Sequence, residues 1–564
     1  MTDLTAAAEA WIAGDPDPET RRELRAILDA GEAVELQERM GATLRFGTAG
    51  LRGRVEAGSN RMNRATVIRA SRGLADHLLA TTTAARAPVV VGRDARVSSG
   101  IFMDDVIAVL VAAGLEVRYF QDPVPTPLVA YAARRLEALA AVVVTASHNP
   151  PADNGYKVYA ADAVQIVPPT DREIADAIQA VGPAIEVPRA EILGDRAGLV
   201  PDDLFDLYLK EVAETLPLVA GDRTLSIVYT AMHGVGGRFV LSALERFGFT
   251  TVHPVAAQLE PDGRFPTVAF PNPEEPGAMD RAHELASAID ADLVLANDPD
   301  TDRLAVSLPE PDGGYVQLTG NQIGVLLADF LLRHADVDRP IVLTSIVSSP
   351  MLAEIASDHH ATYDQTLTGF KWIWNAALDL EEAGEGTFVF GYEEALGYSV
   401  GRTVRDKDGI SAAVAFAVLA AEARSEQATV WDRLGTLYRR HGVWASTQQS
   451  VTRPGADGAS EIEAAMASLA DATPESLAGI EVTGTVDYRD GAGDRPRYLA
   501  ETTLVEFALG EQGRALVRPS GTEPKLKIYV DLRADAGEHW QATEARLLEK
   551  ADAVATDLVD FLGF

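Results

Sequence analysis

The chain has 564 residues with 84 acidic and 49 basic side chains, and the resulting net charge of −35 repels nucleic acid and anionic membranes, so neither is an expected partner. It contains no cysteine, which excludes disulfides, thiolate catalysis and cysteine-bound zinc. No apolar run reaches the roughly 18 residues of a membrane helix, and the first residues lack a signal-peptide pattern, so a cytoplasmic location is expected.

Residues 1–40 are predicted to form a helical extension, because Asp and Pro start signals precede a mixed-charge body and a glycine stop. FGTAGLRG, residues 46–53, follows as a glycine-rich loop. Short buried strands then alternate with apolar helices, which is typical of α/β domains. The predicted strands are residues 87–94, 139–144, 225–230, 292–296, 340–347 and 387–390. The predicted helices are residues 100–114, 320–332 and 350–359, and residues 231–248 are predicted to form a loop followed by a helix.

This alternation predicts three α/β domains, at residues 41–202, 203–316 and 317–440. Each contains a strand that ends on an unusual polar loop. Because ligands in α/β sheets collect at strand ends, the three loops are expected to converge on one cleft.

The remaining residues, 441–564, are predicted to form a smaller α+β domain. Residues 443–453 and 515–534 alternate like strands of a sheet with one solvated face, and residues 538–562 form a closing helix. Residues 453–495, rich in Gly, Ala and Asp, are interpreted as peripheral loops.

The sequence NDPDTDR directly follows the predicted strand 292–296 and places Asp298, Asp300 and Asp302 at alternate positions. An extended loop would hold the three carboxylates on one side, where their repulsion favours a bound cation, and oxygen-only ligands suit Mg²⁺. An EF-hand does not fit, because Arg303 and Pro309 stand where Gly and Glu are required. A solvated acidic turn is the alternative interpretation.

The sequence VVVTASHNPPADNGYKVY, residues 142–159, ends a buried strand on a stiffened polar loop. Ser147 is a candidate nucleophile or a turn residue, and His148 a candidate base or a structural hydrogen-bonder. The nearby Lys157 and the two prolines after Asn149 favour the functional interpretation.

RPSGTEPKLK, residues 518–527, offers one guanidinium, two hydroxyls and an exposed glycine amide, a combination that suits a phosphate dianion. Two adjacent carboxylates in GYEEALGY, residues 391–398, can accept hydrogen bonds from sugar hydroxyls. A hairpin turn and a solvated acidic loop are the respective alternatives. The fingerprints of dinucleotide-binding proteins, P-loop kinases and α/β-hydrolases are not matched.

In chain order, the motifs TASHNP, DPDTDR, GYEEALG and RPSGTEPK resemble those of the α-D-phosphohexomutase family, whose enzymes move phosphate between the 1 and 6 positions of a sugar. The resemblance covers about residues 40–560. The N-terminal extension, FGTAGLRG and GYEEALGY look most like the subgroup of long bacterial phosphoglucomutases or phosphomannomutases and animal phosphopentomutase-like members.

The resemblance implies three related α/β domains with mixed sheets and a C-terminal α+β domain, arranged as a heart-shaped monomer or weak dimer. It implies a phosphoserine at Ser147 that binds Mg²⁺ with the three aspartates, and a sugar 1,6-bisphosphate as intermediate and activator. His148, Lys157 and Arg52 would be catalytic. The implied substrate-binding residues are Arg303, Lys371, Glu393, Glu394, Arg518, Ser520, Gly521 and Thr522.

The sugar loop departs from the hexose-type pattern, because Ala395 stands where many members of the family have a serine. A phosphosugar mutase acting on glucose 1-phosphate, and on mannose 1-phosphate, is the expected function. A phosphopentomutase is the first alternative, and a sugar-phosphate phosphatase or a non-catalytic sensor is a further one.

Overall fold

The computed structural model describes residues 2–82, 87–217, 221–310, 313–453, 458–470, 472–520 and 525–564. These residues form two compact units. The first contains the described residues of Met1–Leu218, Asp222–Leu318 and Gly397–Val418, and the second those of Val219–Gly221, Thr319–Leu396 and Leu419–Phe564. None of the described helices is long and apolar enough to cross a membrane.

The predicted N-terminal extension is helical, as expected, and the first α/β domain follows it. Leu24 and Ile27 bury one face of the second helix, which begins after an Asp17 cap and ends at Gly31. The elements are α1 (Thr2–Gly14), α2 (Pro18–Ala30), α3 (Ala33–Met40), β1 (Leu51–Arg54), α4 (Arg64–Thr81), β2 (Val89–Arg93), α5 (Ser99–Ala112), β3 (Val117–Tyr119), α6 (Thr126–Arg135), β4 (Ala140–Val144), β5 (Asp153–Tyr159), α7 (Thr170–Ala180), β6 (Ala197–Leu199) and α8 (Leu204–Thr215).

The first sheet has the strand order β1-β5-β4-β2-β3-β6. Its central strands β4, β2, β3 and β6 are parallel, whereas β5 and β1 are antiparallel, so the sheet is mixed. All five side chains of β4 are buried, which explains the continuous apolar run that precedes the serine loop.

The second α/β domain has five strands in the order β11-β10-β9-β7-β8. The pairs β7–β8 and β7–β9 are parallel, and β9–β10 is antiparallel, so this sheet is also mixed. Its elements are β7 (Ile227–Thr230), α9 (Gly237–Arg246), β8 (Val252–Pro254), α10 (Ala256–Leu259), α11 (Asp280–Ile289), β9 (Leu293–Ala296), β10 (Ala305–Pro309) and β11 (Tyr315–Gln317).

The next stretch of chain supplies a third, parallel sheet to the second unit. In this sheet β12 pairs with β13 on one side and with β14 on the other. The elements of this stretch are α12 (Gly320–Arg333), β12 (Pro340–Ser345), α13 (Met351–Asp358), β13 (Thr362–Thr366), α14 (Phe370–Glu382), β14 (Thr387–Glu393), β15 (Gly397–Val400), α15 (Gly409–Ser425) and α16 (Val430–His441). Of these, β15 and the part of α15 up to Val418 belong to the first unit.

The C-terminal domain is α+β, as predicted, with an antiparallel sheet of order β16-β22-β21-β20-β19. The long last helix packs on it and closes an apolar core that includes Phe507, Val530 and Leu558. The elements are β16 (Val443–Thr452), α17 (Gly458–Ser468), β17 (Ser476–Leu477), β18 (Ile480–Glu481), β19 (Gly484–Asp487), β20 (Val505–Ala508), β21 (Gly513–Pro519), β22 (Lys525–Ala534) and α18 (Trp540–Phe561).

The interpretation of residues 453–495 as peripheral loops is wrong in part, because this segment supplies α17 and the edge strand β19. Ile462, Met466 and Leu469 recur at helical spacing and are buried in the core of the C-terminal domain. The surrounding Ala, Gly and Asp residues diluted this apolar pattern below recognition.

One further boundary differs from the prediction. The last three residues of FGTAGLRG belong to the strand β1, whose Arg52 pairs with Gly155 of β5. The predicted loop and helix at 231–248 agree with the structure, in which the helix begins at Gly237 and the preceding Met232 and His233 have positive φ angles that a helix does not contain.

Candidate active site

Ser147 lies in the turn that follows β4. Its hydroxyl is directed at residues 297–303, NDPDTDR, which we call the metal loop because its three aspartates are predicted to bind a cation. Its Oγ donates a hydrogen bond to Oδ2 of Asp298 at 2.8 Å, although 151 residues separate the two positions in the chain. The Ser147 backbone has a φ of +51°, a strained value for a residue with a side chain. Such strain persists only where the surrounding contacts impose it.

Arg96 supplies much of that constraint. Its buried guanidinium donates to four backbone carbonyls of the serine loop, those of Ser147 (2.7 Å), Asn149 (2.5 Å), Pro150 (2.6 Å) and Asp153 (2.9 Å). A single rigid cation therefore fixes the loop over seven residues. The two prolines add stiffness, as expected from the sequence.

A second anchor is the pair Asp94 and Thr145. Thr145 Oγ1 donates to Asp94 at 2.7 Å and accepts the backbone N–H of Ser147 at 2.8 Å. Asp94 in turn accepts the N–H of Arg96 at 2.9 Å. The loop is thus held from both faces before any substrate is bound, which is the preorganisation that group transfer requires.

Asp298, Asp300 and Asp302 are all buried, and one carboxylate oxygen from each lies within 4.8 Å of the others. The solvated-turn interpretation is therefore wrong. Oδ1 of Asp300 and Oδ1 of Asp302 are buried without a hydrogen-bond partner among the described residues. Because an unpaired buried carboxylate oxygen is costly, the donor set fits a divalent cation with oxygen ligands.

The ionisation of each of the three carboxylates depends on the charges beside it. Burial, together with the neighbouring Asp300 and Asp302 charges, raises the pKa of Asp298 well above its usual value. Burial acts in the same direction on Asp300, but the Lys157 ammonium and its hydrogen bonds hold the pKa of Asp300 below its usual range. A cation at this position would reduce the repulsion between the carboxylates, which contributes to the raised pKa of Asp298.

Two lysines neutralise the metal loop. Lys157 Nζ lies 2.7 Å from Asp300 Oδ2 and 3.0 Å from Asp302 Oδ2. Lys407 Nζ lies 3.2 Å from Asp302 Oδ2 and 3.1 Å from Asp406. Burial would lower the pKa of Lys157, but the Asp300 and Asp302 charges raise it, so this lysine stays an ammonium.

Arg303 ends the metal loop. Its backbone N–H donates to Asp298 Oδ1 at 3.1 Å, and its guanidinium Nε lies 3.9 Å from Asp302 Oδ1. Arg303 therefore adds both a backbone donor and a positive charge beside the three aspartates.

The glycine loop after β7 buttresses the metal loop. A Cβ added at Gly234 would come within 2.5 Å of the Pro299 Cα, and one at Gly236 within 2.8 Å of Thr301 Oγ1. Val235 N–H also donates to the Pro299 carbonyl at 2.9 Å. The sequence HGVGG thus has a packing role, and it does not match the dinucleotide-binding fingerprint.

Arg52 and His148 lie beside the serine loop. Arg52 Nη1 donates to Asn149 Oδ1 at 3.1 Å. Burial, and then the Arg303 and Arg52 charges, lower the pKa of His148 well below its usual value, so the imidazole is neutral. Its Nδ1 is buried and has no hydrogen-bond partner among the described residues.

The remaining predicted residues lie in the second unit. Glu393 Oε1 accepts the backbone N–H of Gly369 at 2.6 Å, which joins the end of β14 to the loop before α14. Gly369 has a φ of +116°, and a Cβ there would lie 3.4 Å from Cε of Lys371. The structure therefore brings both Glu393 and Lys371 close to Gly369.

Glu394 is oriented by Ser345, the last residue of β12, and by Ser348 in the turn after that strand. Its Oε2 accepts from Ser345 Oγ and Ser348 Oγ, each at 3.1 Å, and its backbone N–H donates to Ser348 Oγ at 3.0 Å. Part of the hydrogen-bonding capacity of Glu394 is thus used within the protein.

Arg518 lies at the end of β21. Burial, and then the charge of Glu394, raise the pKa of the neighbouring Tyr529 above its usual value, whereas Arg518 lowers it. The Nε of Arg518 is buried without a partner among the described residues. Ser520 N–H donates to the Lys525 carbonyl at 2.7 Å, whereas Gly521 and Thr522 lie outside the described residues.

The convergence of polar loops is confirmed for the first two, because Ser147 contacts Asp298. For the third loop it stays a prediction. Sequence reasoning missed Arg96, Thr126 and Lys407, although Thr126 Oγ1 donates to Asp300 Oδ2 at 2.7 Å. The rule that polar residues after a buried strand mark a site could have found Arg96, since GRDAR ends β2.

Four family models match consecutive parts of the chain. They describe the α/β/α domains I, II and III of phosphoglucomutase/phosphomannomutase, at residues 43–183, 206–313 and 319–438, and the C-terminal domain, at residues 461–547. Their order agrees with the predicted arrangement of three α/β domains and an α+β domain.

Curated relatives match over most of their length. The chain is 39% identical to the "Probable phosphomannomutase" of Haemophilus influenzae over 84% of this chain and 93% of the relative. It is 36% identical to the "Probable phosphoribomutase" of Schizosaccharomyces pombe over 97% of each chain.

A solved structure supports the same fold. It is that of a phosphoglucomutase/phosphomannomutase family protein from Burkholderia thailandensis, with a TM-score of 0.65 and 20% identity over 91% of this chain and 99% of that one. The four matched domains and the relatives together show that the chain belongs to the phosphoglucomutase/phosphomannomutase family, and that it is an isomerase acting on sugar phosphates.

Proposed function

We propose that the protein interconverts sugar 1-phosphates and sugar 6-phosphates through a phosphoserine at Ser147 and a sugar 1,6-bisphosphate. The observation that carries the proposal is the contact of the strained, preorganised Ser147 hydroxyl with the buried aspartate cluster. An ordinary turn serine needs neither four carbonyl bonds from a buried arginine nor a carboxylate partner from a distant loop.

We propose that Asp298, Asp300 and Asp302 hold Mg²⁺ together with the Ser147 phosphate. The two partnerless carboxylate oxygens among the described residues and the oxygen-only donor set support this choice. When bound, the ion neutralises charge on the transferring phosphoryl group. Lys157, Lys407 and Arg303 add fixed positive charge at the same place, which a protein of net charge −35 needs in order to accept an anionic substrate.

In the proposed cycle, the bond between phosphorus and Ser147 Oγ breaks while a bond forms between phosphorus and the free hydroxyl oxygen of the sugar monophosphate. The sugar hydroxyl proton passes to His148, whose neutral ring has a partnerless Nδ1 among the described residues. A proton returns from His148 to the freed Ser147 Oγ, which restores the hydroxyl that donates to Asp298. Lys157 is the weaker candidate for this base, because its ammonium is paired with Asp300 and Asp302. The bisphosphate then reverses its orientation and returns its other phosphate to Ser147.

In the second unit, we propose that Glu393, Glu394 and Lys371 bind the sugar, and that Arg518, Ser520, Gly521 and Thr522 bind the phosphate that is not transferred. Both isomers must use this phosphate site, since the bisphosphate presents each end in turn. A guanidinium and backbone amides suit the task because they recognise the phosphate rather than the ring.

Replacing Arg518 by Ala is expected to lower kcat/KM at least about tenfold for both the 1-phosphate and the 6-phosphate, since a charged hydrogen bond contributes about 1.5–3 kcal/mol. Steady-state assays in both directions measure this effect. A loss confined to one isomer would mean that the loop does not serve both orientations.

The preferred sugar depends on Ala395, which lacks the hydroxyl of the hexose-type loop. Losing one neutral hydrogen bond changes selectivity by about 0.5–1.5 kcal/mol, which blurs the distinction between rings without excluding hexoses. We therefore propose glucose 1-phosphate as the best substrate, with mannose 1-phosphate also used and ribose 1-phosphate turned over measurably. Phosphopentomutase is the second candidate, favoured by the same residue and by the fission-yeast relative's name.

Replacing Ala395 by Ser is expected to shift the ratio of hexose to pentose kcat/KM towards hexoses by about 2–13-fold. The ratio is measured with the matching bisphosphate present. A pentose value above the glucose value in the unaltered protein would make it a phosphopentomutase, and undetectable pentose turnover would show that Ala395 does not relax the site.

The proposed reaction is tested by incubating the protein with glucose 1-phosphate, Mg²⁺ and a trace of glucose 1,6-bisphosphate while following glucose 6-phosphate and free phosphate. A mutase accumulates the 6-phosphate with little free phosphate. Steady release of phosphate would identify a phosphatase, and binding without turnover would identify a sensor.

A further inference from the structure

Arg514 is a buried arginine of β21 that no part of the proposed chemistry uses. It lies four residues before Arg518, so both side chains share one face of the strand. Its Nε contacts Oδ2 of Asp531 on the neighbouring β22 at 2.9 Å, and its Nη2 donates to the backbone carbonyl of Ser348 at 2.7 Å. The guanidinium therefore joins the C-terminal sheet to the turn that follows β12.

That turn is the support of Glu394. Ser348 Oγ donates to Glu394 Oε2 at 3.1 Å and accepts the Glu394 backbone N–H at 3.0 Å. Ser345 Oγ also donates to the same carboxylate oxygen and lies 2.8 Å from Ser348 Oγ. A displacement of Ser348 would therefore move both the backbone and the carboxylate of Glu394.

The guanidinium is itself firmly oriented. Asp531 accepts from Ser446 Oγ at 2.6 Å, and Glu506 lies 3.7 Å from Arg514 Nη1, so carboxylates fix two of the three nitrogens of Arg514. The third nitrogen, Nη2, donates to the Ser348 carbonyl. A buried ion pair adds little to stability by itself, but a fixed fork of donors specifies the position of its acceptor well.

We infer that Arg514 is a positioning residue for sugar recognition, which acts through the Ser348 turn to orient Glu394. The inference rests on the proposed function, because it assigns Arg514 to the sugar-binding part of that site. Arg514 is not expected to contact substrate, since its donors are directed at Asp531, Glu506 and Ser348.

Arg533 provides a matched control. It lies on β22, is partly buried, and its Nε donates to the backbone carbonyl of His441 at 3.0 Å. It therefore makes the same kind of bond between the C-terminal sheet and a preceding segment, but its acceptor has no contact with Glu394 among the described residues. A purely structural effect of losing such a bond should appear in both variants.

The test is a double-mutant cycle of Arg514→Met and Glu394→Gln, with Arg514→Lys and Arg533→Met alongside. Mutase kcat/KM for glucose 1-phosphate, the inhibition constant of inorganic phosphate and Tm are measured for each. We expect Arg514→Met to lower kcat/KM about tenfold, mainly through KM, and Glu394→Gln to have less than about a twofold further effect in that background. Inorganic phosphate should inhibit as before, because Arg518 is unchanged.

Arg533→Met should lower Tm without changing KM more than about twofold. Arg514→Lys keeps the positive charge but not the fork, so it should retain the fold and show a smaller rise of KM in the same direction. If Arg514→Met does not fold, the cycle is run with Arg514→Lys.

Additive effects of the Arg514 and Glu394 substitutions would overturn the inference, as would an equal loss in Arg533→Met or a weakened inhibition by phosphate. These outcomes require a wild-type protein that converts glucose 1-phosphate, mannose 1-phosphate or ribose 1-phosphate. A wild-type protein without any such turnover would overturn the proposed function, and the inference with it.

Discussion

Replacing Ser147 by Ala is expected to abolish both phosphorylation and mutase turnover. The hydroxyl is the proposed phosphate carrier, and no other described hydroxyl has the same combination of a positive φ and a direct bond to Asp298. Loss of the nucleophile should lower kcat at least about 10⁴-fold, equivalent to about 5.4 kcal/mol of barrier. Phosphate incorporation from glucose 1,6-bisphosphate, followed by peptide mass spectrometry, is measured together with turnover.

Ser307→Ala is the control for that variant. Ser307 is also fully buried in the first unit, and its Oγ pairs with His283 Nε2 at 2.9 Å, away from the metal loop. The Ser307→Ala protein should keep the phosphate on Ser147 and the mutase turnover. Full activity of Ser147→Ala, or phosphate found on another residue, would contradict the phosphoserine assignment.

Replacing Asp300 by Asn should lower kcat about 10²–10³-fold and leave KM within a few-fold. The change removes one negative charge where the transferring phosphate is stabilised, and electrostatic groups of this kind typically contribute that much. It also places an amide opposite Lys157 Nζ and Thr126 Oγ1, which now donate to Asp300 Oδ2 at 2.7 Å each. Steady-state kinetics over a range of Mg²⁺ concentrations measures both effects.

Chelation gives the companion result, a reversible loss of activity that added Mg²⁺ restores. Asp292→Asn serves as the matched substitution, because Asp292 lies at the opposite end of the same strand and accepts the Ser226 N–H at 2.8 Å. It should change neither kcat nor the Mg²⁺ requirement. Full activity in excess chelator would exclude the proposed metal site.

The sequence by itself determined the class of fold and the identity of the motifs. Buried parallel strands are continuous apolar runs, so β4 and β9 could be predicted from the sequence. The polar residues that follow these strands were predicted to be functional. The grouping of three aspartates is likewise a local property of one loop, because alternate positions in an extended segment lie on one side.

Sequence patterns did not predict contacts between residues that lie far apart in the chain. Lys407 contacts Asp302, which lies 105 positions earlier, and no spacing rule connects the two. The helix α17 was missed for a different reason, since Ile462 and Met466 are its only large buried side chains among the described residues and Ala is its commonest residue. Packing, rather than propensity, decides such a segment.

The tertiary structure alone decided how each candidate is held. By sequence Ser147 is a candidate nucleophile or a turn residue, but in the structure Arg96 donates to its carbonyl and Asp298 accepts from its hydroxyl, so its strained backbone is stabilised by contacts 51 and 151 positions away. By sequence Glu394 is one of two adjacent carboxylates in a loop, but Ser348 in the turn after β12 donates to its carboxylate, and Arg514 of β21 donates to the Ser348 carbonyl. Local sequence sets which groups are available, whereas long-range hydrogen bonds and burial set their orientation and charge, because both depend on residues that only folding brings together.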